Sequence, residues 1–285
     1  MKINNKMILI VLLLLLLAGC AEQAPTAAKD IISKSTDFGE YFKSSWFNGI
    51  FIYPFAQLIN YTSPYIGVTL AVGLATLVVN LITLPLTLGS TQMTTKMQMI
   101  QPEINKIEKK YEGMTDTASK NRKAQETMAL YQKHDIKMGK ALIGQFLTFP
   151  IIIAFFSVVR RTEAIINGTI FGVSIQTTIR DGFAQRSIPI IIIFILMAAA
   201  QYLSINFPKY YAKYKLKKER RIKHYDESQN KTAGAQNQMG FMIVIILAMA
   251  FFWPAAMSVY WFFSSVMNIV KTVISTQLSS KHEAR

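Results

Sequence analysis

Hydrophobic and polar positions in this chain fall into long blocks rather than short periods. No charge occurs from Ser44 to Thr95, and further uncharged runs cover Ala141 to Val159, Ile188 to Phe207 and Thr232 to Val270. Runs of about 18–20 apolar residues match the hydrocarbon core of a bilayer. The pattern therefore predicts an all-α polytopic membrane protein with five transmembrane helices in its mature form. The first run is too long for one pass. Its aromatic and Pro-containing part, residues 46–65, suits the outer interface, with Trp46, Tyr53, Tyr61 and Tyr65 at headgroup level. The first span is then residues 66–88, followed by spans at 141–159 and 188–207. The last run holds 39 residues. As a single helix it would be about 58 Å long, against a core of about 30 Å. A break at Trp253-Pro254 divides it into spans at 239–253 and 255–274, the first short enough to thin the bilayer locally.

Between the spans the period changes. Met93, Met97, Ile100, Ile104, Ile107 and Tyr111 alternate spacings of four and three, which makes a helical seam. Gly113 breaks that helix, and a second one returns through Ala124, Met128 and Tyr131. Residues 89–140 are thus expected to form a cytoplasmic antiparallel helical hairpin. Met97 and Met128 are assigned to its seam, while Met93 and Met99 stay open as adaptable substrate surface. Residues 20–45 read as a polar, loose tether. Residues 160–187 read as a polar outer loop in which Gly168, Gly172 and Gly182 interrupt any regular pattern. Pro208 ends the third span and opens a basic loop, 208–238, and residues 275–285 form a cytoplasmic tail.

Composition supports the membrane assignment: 51% of residues are hydrophobic and 16% charged, whereas soluble domains carry about a quarter charged residues. The formal charge of +15 fits either nucleic acid binding or membrane orientation. With the mature N-terminus outside, 22 Lys and Arg fall on the cytoplasmic side and seven outside. The positive-inside rule accounts for this imbalance without a specific nucleic acid partner. Lys209 to Lys231 alone holds nine Lys or Arg, and is assigned to topology and anionic lipid contact. The one cysteine, Cys20, excludes an intramolecular disulfide and any multi-cysteine metal site. Lys2 and Lys6, the apolar run from Met7 to Leu17 and the ending Leu17-Ala18-Gly19-Cys20 resemble a bacterial lipoprotein signal. On that reading residues 1–19 are a signal peptide and Cys20 is acylated in the plasma membrane; the alternative is an uncleaved anchor.

The chain has no phosphate-binding loop, nucleophile elbow or H-E-x-x-H motif. His134, His224 and His282 have no partners at metal-ligand spacing and read as solvated side chains. No enzyme, no cofactor and no metal site is expected. What remains is a set of polar groups at membrane depth: Asn80 and Thr83, Gln145 and Thr148, Gln201 and Ser204, Ser258, Tyr260, Ser264, Ser265 and Asn268. Singly, each is accounted for as interhelical hydrogen bonding; together they suggest a partly hydrated groove.

Asn80-Leu-Ile-Thr-Leu-Pro-Leu86, Gln101-Pro102-Glu103, Lys110-Tyr111 and the run from Gln125 to His134 resemble the first span and hairpin of the YidC/Oxa/Alb membrane insertases. Phe149-Pro150 and the segment Phe251 to Trp261 resemble that family's second span and its last two. The lipoprotein start with five spans is similar to the Gram-positive form. The resemblance implies insertion and folding of nascent membrane proteins, alone or beside the Sec translocon, with ribosomes docking on basic cytoplasmic segments. It implies a substrate groove, here lined by Asn80, Thr83, Gln145, Thr148, Gln201, Tyr260, Trp261 and Ser265. It also exposes a departure: most bacterial members carry an Arg where this chain has Asn80. Lys271 is expected to snorkel from the cytoplasmic end of the last span, leaving an uncharged groove. A diverged membrane scaffold is the alternative function, and a small-solute transporter is disfavoured by the lack of inverted repeats and intramembrane carboxylates.

Overall fold

A computed structural model describes residues 31–218 and 243–283. Cys20, the signal, most of the basic loop and the start of the expected fourth span lie outside the described residues. Within them the chain is almost entirely helical: α1 (Phe38–Ser44), a π-helical turn (Asn48–Ile52), α2 (Tyr53–Ile66), α3 (Val68–Ile82), α4 (Leu84–Met99), α5 (Gln101–Lys110), α6 (Thr117–Lys133), α7 (Met138–Arg161), α8 (Glu163–Ile166), α9 (Ile179–Ala184), α10 (Ile188–Lys218) and α12 (Ala255–Glu283). Residues 243–251 are also helical and are numbered α11. One two-residue hairpin, β1 (Thr169–Ile170) with β2 (Val173–Ser174), is the sole sheet among the described residues.

Two helices are long and apolar enough to cross a membrane, over Ile188–Tyr211 and Ala255–Gln277. The pair α3 and α4 makes a third candidate, bent by 75°. Pro85 lies in the first turn of α4. Its missing N–H and ring oppose a straight continuation past Thr83, which is why the apolar run bends there. Helix α12 occupies the centre and packs against α3, α4, α7 and α10.

The outer segments are more ordered than their polarity suggested. Ile32 is fully buried, its N–H donates to the Arg161 carbonyl at 2.7 Å, and its carbonyl accepts from Glu163 N at 3.0 Å. Asn60, 2% exposed, donates through Nδ2 to the same carbonyl at 2.7 Å and accepts from Ala164 N at 3.0 Å. One buried amide thus ties residues 32, 60 and 164 together. The loose tether is corrected from residue 32 onward: an apolar Ile anchors it. The expected irregular loop after Arg161 likewise folds, around buried Ile165, Ile175 and Ile179. Its Thr177 and Ile175 carbonyls accept from Ala255 N and Ala256 N at 2.9 and 3.0 Å. The first N–H groups of α12 have no partner inside that helix, and the loop supplies them.

At the opposite end, α5 and α6 meet through Ile100, Ile104, Leu130 and Ile136, with Met97, Ile107 and Tyr131 packed around them. Met97 is therefore in the seam, but Met128 is 52% exposed, and Ala124 is exposed with it. The return helix is rotated from the expected register because Leu130 and Ile136 supply the apolar contacts. Met93 is buried and its Sδ accepts from Lys137 N at 3.3 Å. His134, expected to be solvated, lies half-buried with Nε2 3.4 Å from Glu103 Oε1. Pro208 does not stop the third apolar helix, since α10 continues through it to Lys218.

Two outcomes follow for stability. Asn60→Ala leaves the Ala164 N–H without its acceptor and frees the N-terminal segment. It should cost about 2–3 kcal/mol, read as a lower thermal unfolding midpoint and faster proteolysis near residue 32. On α6, Glu126 accepts from Lys110 Nζ at 2.5 Å and from Tyr111 Oη at 2.8 Å. The Lys110 bond, then that of Tyr111, holds the Glu126 carboxyl below its ordinary value of 4.5. A lowered carboxyl contributes stability above that ordinary value and loses it as pH falls through 4.5 and below. Amide exchange at the α5–α6 junction should accelerate in that window, and Glu126→Gln should abolish the acid dependence.

Candidate functional site

The polar residues inside the helical bundle gather on α3, α10 and α12. Helix α3 is apolar except for Thr69, Thr76 and Asn80. Thr76 is fully buried and satisfies its hydroxyl within the helix, donating to the Val72 carbonyl at 2.8 Å. Asn80, four residues on, donates through Nδ2 to the Thr76 carbonyl at 2.8 Å. That bond fixes the amide so that Oδ1 points away from its own helix.

The atom that meets Oδ1 is Lys271 Nζ, at 2.8 Å. Lys271 is 6% exposed and Asn80 9%. The lysine does not snorkel to the end of the last span, as its position near residue 274 suggested. Helix α12 continues to Glu283, so Lys271 lies well inside it, and the shortest polar contact is sideways, to α3. Among the described residues Lys271 forms no ion pair. Among the described residues its side-chain partner is the Asn80 amide oxygen.

A second polar contact joins α10 to α12, where Ser265 Oγ donates to Gln201 Oε1. Both residues are buried, as is Ser204 one turn along α10. Ser258, Ser265 and Thr272, spaced by seven, are all buried on one face of α12. Lys271 is buried beside Thr272, and Ser275 one turn further on is buried too. Thr83 donates to the Val79 carbonyl at 2.8 Å and lies half-buried at the α3–α4 bend.

Tyr260 and Trp261 lie nearer the start of α12. Tyr260 stacks on Phe155 of α7 with centroids 4.2 Å apart, and Trp261 stacks on Trp253 at 6.3 Å. These rings form an aromatic layer by the Trp253-Pro254 turn, with the Arg160 guanidinium 4.6 Å from the centre of the Phe156 ring at its edge. Lys271 is about 16 Å further along α12 at 1.5 Å per residue. In the aromatic layer Ser258 Oγ and Trp261 Nε1 are buried without a hydrogen-bond partner among the described residues. Thr148 is on an exposed face of α7, and Gln145 belongs to the same helix, its side chain outside the described residues. The structure thus brings together Asn80 with Lys271, and Gln201 with Ser265. The aromatic layer lies further back along α12, towards its start.

Comparison with known proteins places this arrangement. Residues 60–282 match the family model described as 60Kd inner membrane protein. The membrane protein insertase YidC of Mycoplasma genitalium is 30% identical over 269 residues, covering 85% of this chain and 68% of the relative. The insertase YidC 2 of Bacillus anthracis is 28% identical, covering 89% and 86%. The insertase MisCA of Bacillus subtilis is 25% identical, covering 78% and 76%. The family match spans α3, α10 and α12, and so contains both polar contacts. This chain belongs to the 60Kd inner membrane protein family, whose named relatives are membrane protein insertases.

Proposed function

We propose that this chain is a membrane protein insertase, not an enzyme, which receives the polar flank of an incoming helix in the space lined by α3, α10 and α12. The observation that carries this reading is the burial of polar groups from three helices inside an otherwise apolar bundle. Such groups are costly in hydrocarbon and are kept where they contact one another, water or a passing substrate. Lowering the cost of moving a polar segment through lipid requires a polar surface at membrane depth, and no bond is made or broken. The buried, unpartnered Ser258 Oγ and Trp261 Nε1 support hydration reaching the aromatic layer, since buried polar atoms are normally satisfied.

On this reading α3 with the start of α4, α7, the apolar part of α10, α11 and α12 are five transmembrane helices. The α5–α6 pair is then a cytoplasmic hairpin that meets the client first. The mature N-terminus is outside and acylated at Cys20, and the C-terminus is cytoplasmic. The segment from Lys209 to Lys231 contacts anionic lipid, and the Sec translocon and ribosomes are partners of the inserting complex. The aromatic layer of Phe155, Phe156, Trp253, Tyr260 and Trp261 closes the outer end.

Replacing Gln201 by Leu and Ser265 by Ala together removes one polar contact without orphaning either partner. The full-length double variant, reconstituted in liposomes, should fold normally and insert a single-span client about fivefold to tenfold more slowly. Unchanged insertion would remove the polar surface from the mechanism. For the anchor, intact mass measurement of the membrane form should show an acylated chain beginning at Cys20, and Cys20→Ser should retain the signal and lack the acyl mass.

A further inference from the structure

The segment after Arg161 ends its small hairpin in an unusual turn. β1 and β2 pair Thr169 with Ser174 and Ile170 with Val173, which leaves Phe171-Gly172 as a two-residue loop. Both loop residues have positive φ, +47° at Phe171 and +80° at Gly172. That is the left-handed pattern of the tight hairpin turn that favours Asn-Gly, and a bulky ring in its first place is strained. The fold gives the ring no packing in return. Phe171 is 89% exposed, while Ile170 and Val173 on either side of the turn pack against the core.

The hairpin sits beside the start of α3. β1 packs against that helix, and a Cβ on Gly168, at the hairpin's base, would lie 2.9 Å from both methyl carbons of Val68. Just before Val68 the chain exposes Tyr65 and Ile66, and Leu70, Leu74 and Leu81 continue an exposed apolar strip along α3. Helix α3 has 15 residues, about 22 Å at 1.5 Å each, which falls short of a hydrocarbon core of about 30 Å. Beyond Ile82 the chain turns by 75° and adds little depth. A bilayer crossed by α3 therefore extends past an end of that helix. At the Val68 end the apolar surface that meets it is Tyr65, Ile66 and Phe171. No residue from Ala164 to Ile179 is charged, so the hairpin brings no ion into the interface.

We infer that the Phe171 hairpin is a lipid-binding wedge, which sets its ring into the outer leaflet beside α3 where headgroups meet acyl chains. The inference rests on the reading above in which α3 crosses the membrane with Val68 at the outer end, and it assigns that leaflet a second point of contact. Aromatic rings are favoured at this depth, and an exposed apolar cluster on an otherwise packed cap marks an interaction surface. Ile170 and Val173 anchor the hairpin inward, so the left-handed turn holds the ring outward, and contact with lipid offsets its strain. The same contact steadies the segment whose Ile175 and Thr177 carbonyls accept from the first N–H groups of α12. The bilayer surface is thereby coupled to the start of the central helix.

The test uses the full-length chain in liposomes, with Cys20→Ser to remove its one cysteine. A polarity-sensitive fluorophore is attached through Phe171→Cys, through Leu70→Cys on the exposed strip of α3, or through Arg180→Cys, an exposed charged position of the same outer segment. The quenchers are a phospholipid with a nitroxide near the top of its acyl chain, and iodide on both sides of the membrane. The labels from Phe171→Cys and Leu70→Cys should emit at shorter wavelength than that from Arg180→Cys, be quenched by the nitroxide lipid and lose most of their quenching by iodide. A second variant separates lipid contact from turn geometry. Phe171→Asn suits the left-handed turn, yet it should speed amide exchange over residues 169–174 in liposomes, because the lipid contact is gone. A Phe171→Cys label as open to iodide as the Arg180→Cys label, with the Leu70→Cys label quenched by lipid, would overturn the inference and leave α3 as a span. Unchanged or slower exchange in Phe171→Asn would overturn it as well. A Leu70→Cys label reached by iodide and not by the nitroxide lipid would overturn the span and the wedge together.

Discussion

A lysine ammonium inside an apolar helical bundle must be held by something, and here a single amide oxygen holds it. The contact between Lys271 and Asn80 joins the last long helix to the first apolar one across 191 residues of sequence. It depends on two features that have little to do with each other locally. The Pro85 bend ends α3 just beyond Asn80 and turns the chain away. The continuation of α12 to Glu283 keeps Lys271 from being a terminal residue. Without the bend α3 would run on past the lysine, and without the extension the lysine would reach water by itself.

The rest of the bundle is arranged so that this contact lies at one depth and the apolar closure at another. At one end lie stacked rings and the folded segment after Arg161, which feeds carbonyls to the N-terminus of α12. Asn60 locks the N-terminal strip to the same cap through two buried hydrogen bonds. That end is closely packed, around Phe155, Ile165, Ile175 and Ile179. The level of Lys271 is different: its polar groups are buried but its charge is unmatched. The proposed insertion mechanism uses both, a rigid end and a polar level where a passing flank costs less.

Much of this was legible in the sequence, and the failures have common causes. Uncharged runs gave the apolar helices, the four-and-three spacing gave α5, and Pro85 gave the bend. Residues 32–45 and 160–187 were read as loose because polarity was judged by average, while scattered residues such as Ile32, Ile165 and Ile175 decided the packing. Met128 was assigned to the seam by spacing, but Leu130 and Ile136 fill it. Asn80 is legible as a polar position inside the bundle, and its Lys271 partner is not. A lysine three residues from an expected helix end normally snorkels, but here the helix runs on to Glu283. Long-range pairing of side chains on two helices is what a one-dimensional pattern carries least.

The polar contact between α3 and α12 is either needed for insertion or merely a packing detail, and growth of insertase-depleted cells carrying this chain distinguishes the two. Asn80→Leu combined with Lys271→Met removes both partners and leaves neither one buried alone. The double variant should accumulate normally in the membrane and fail to support growth. Wild-type growth with the double variant at wild-type levels would contradict the polar surface at membrane depth.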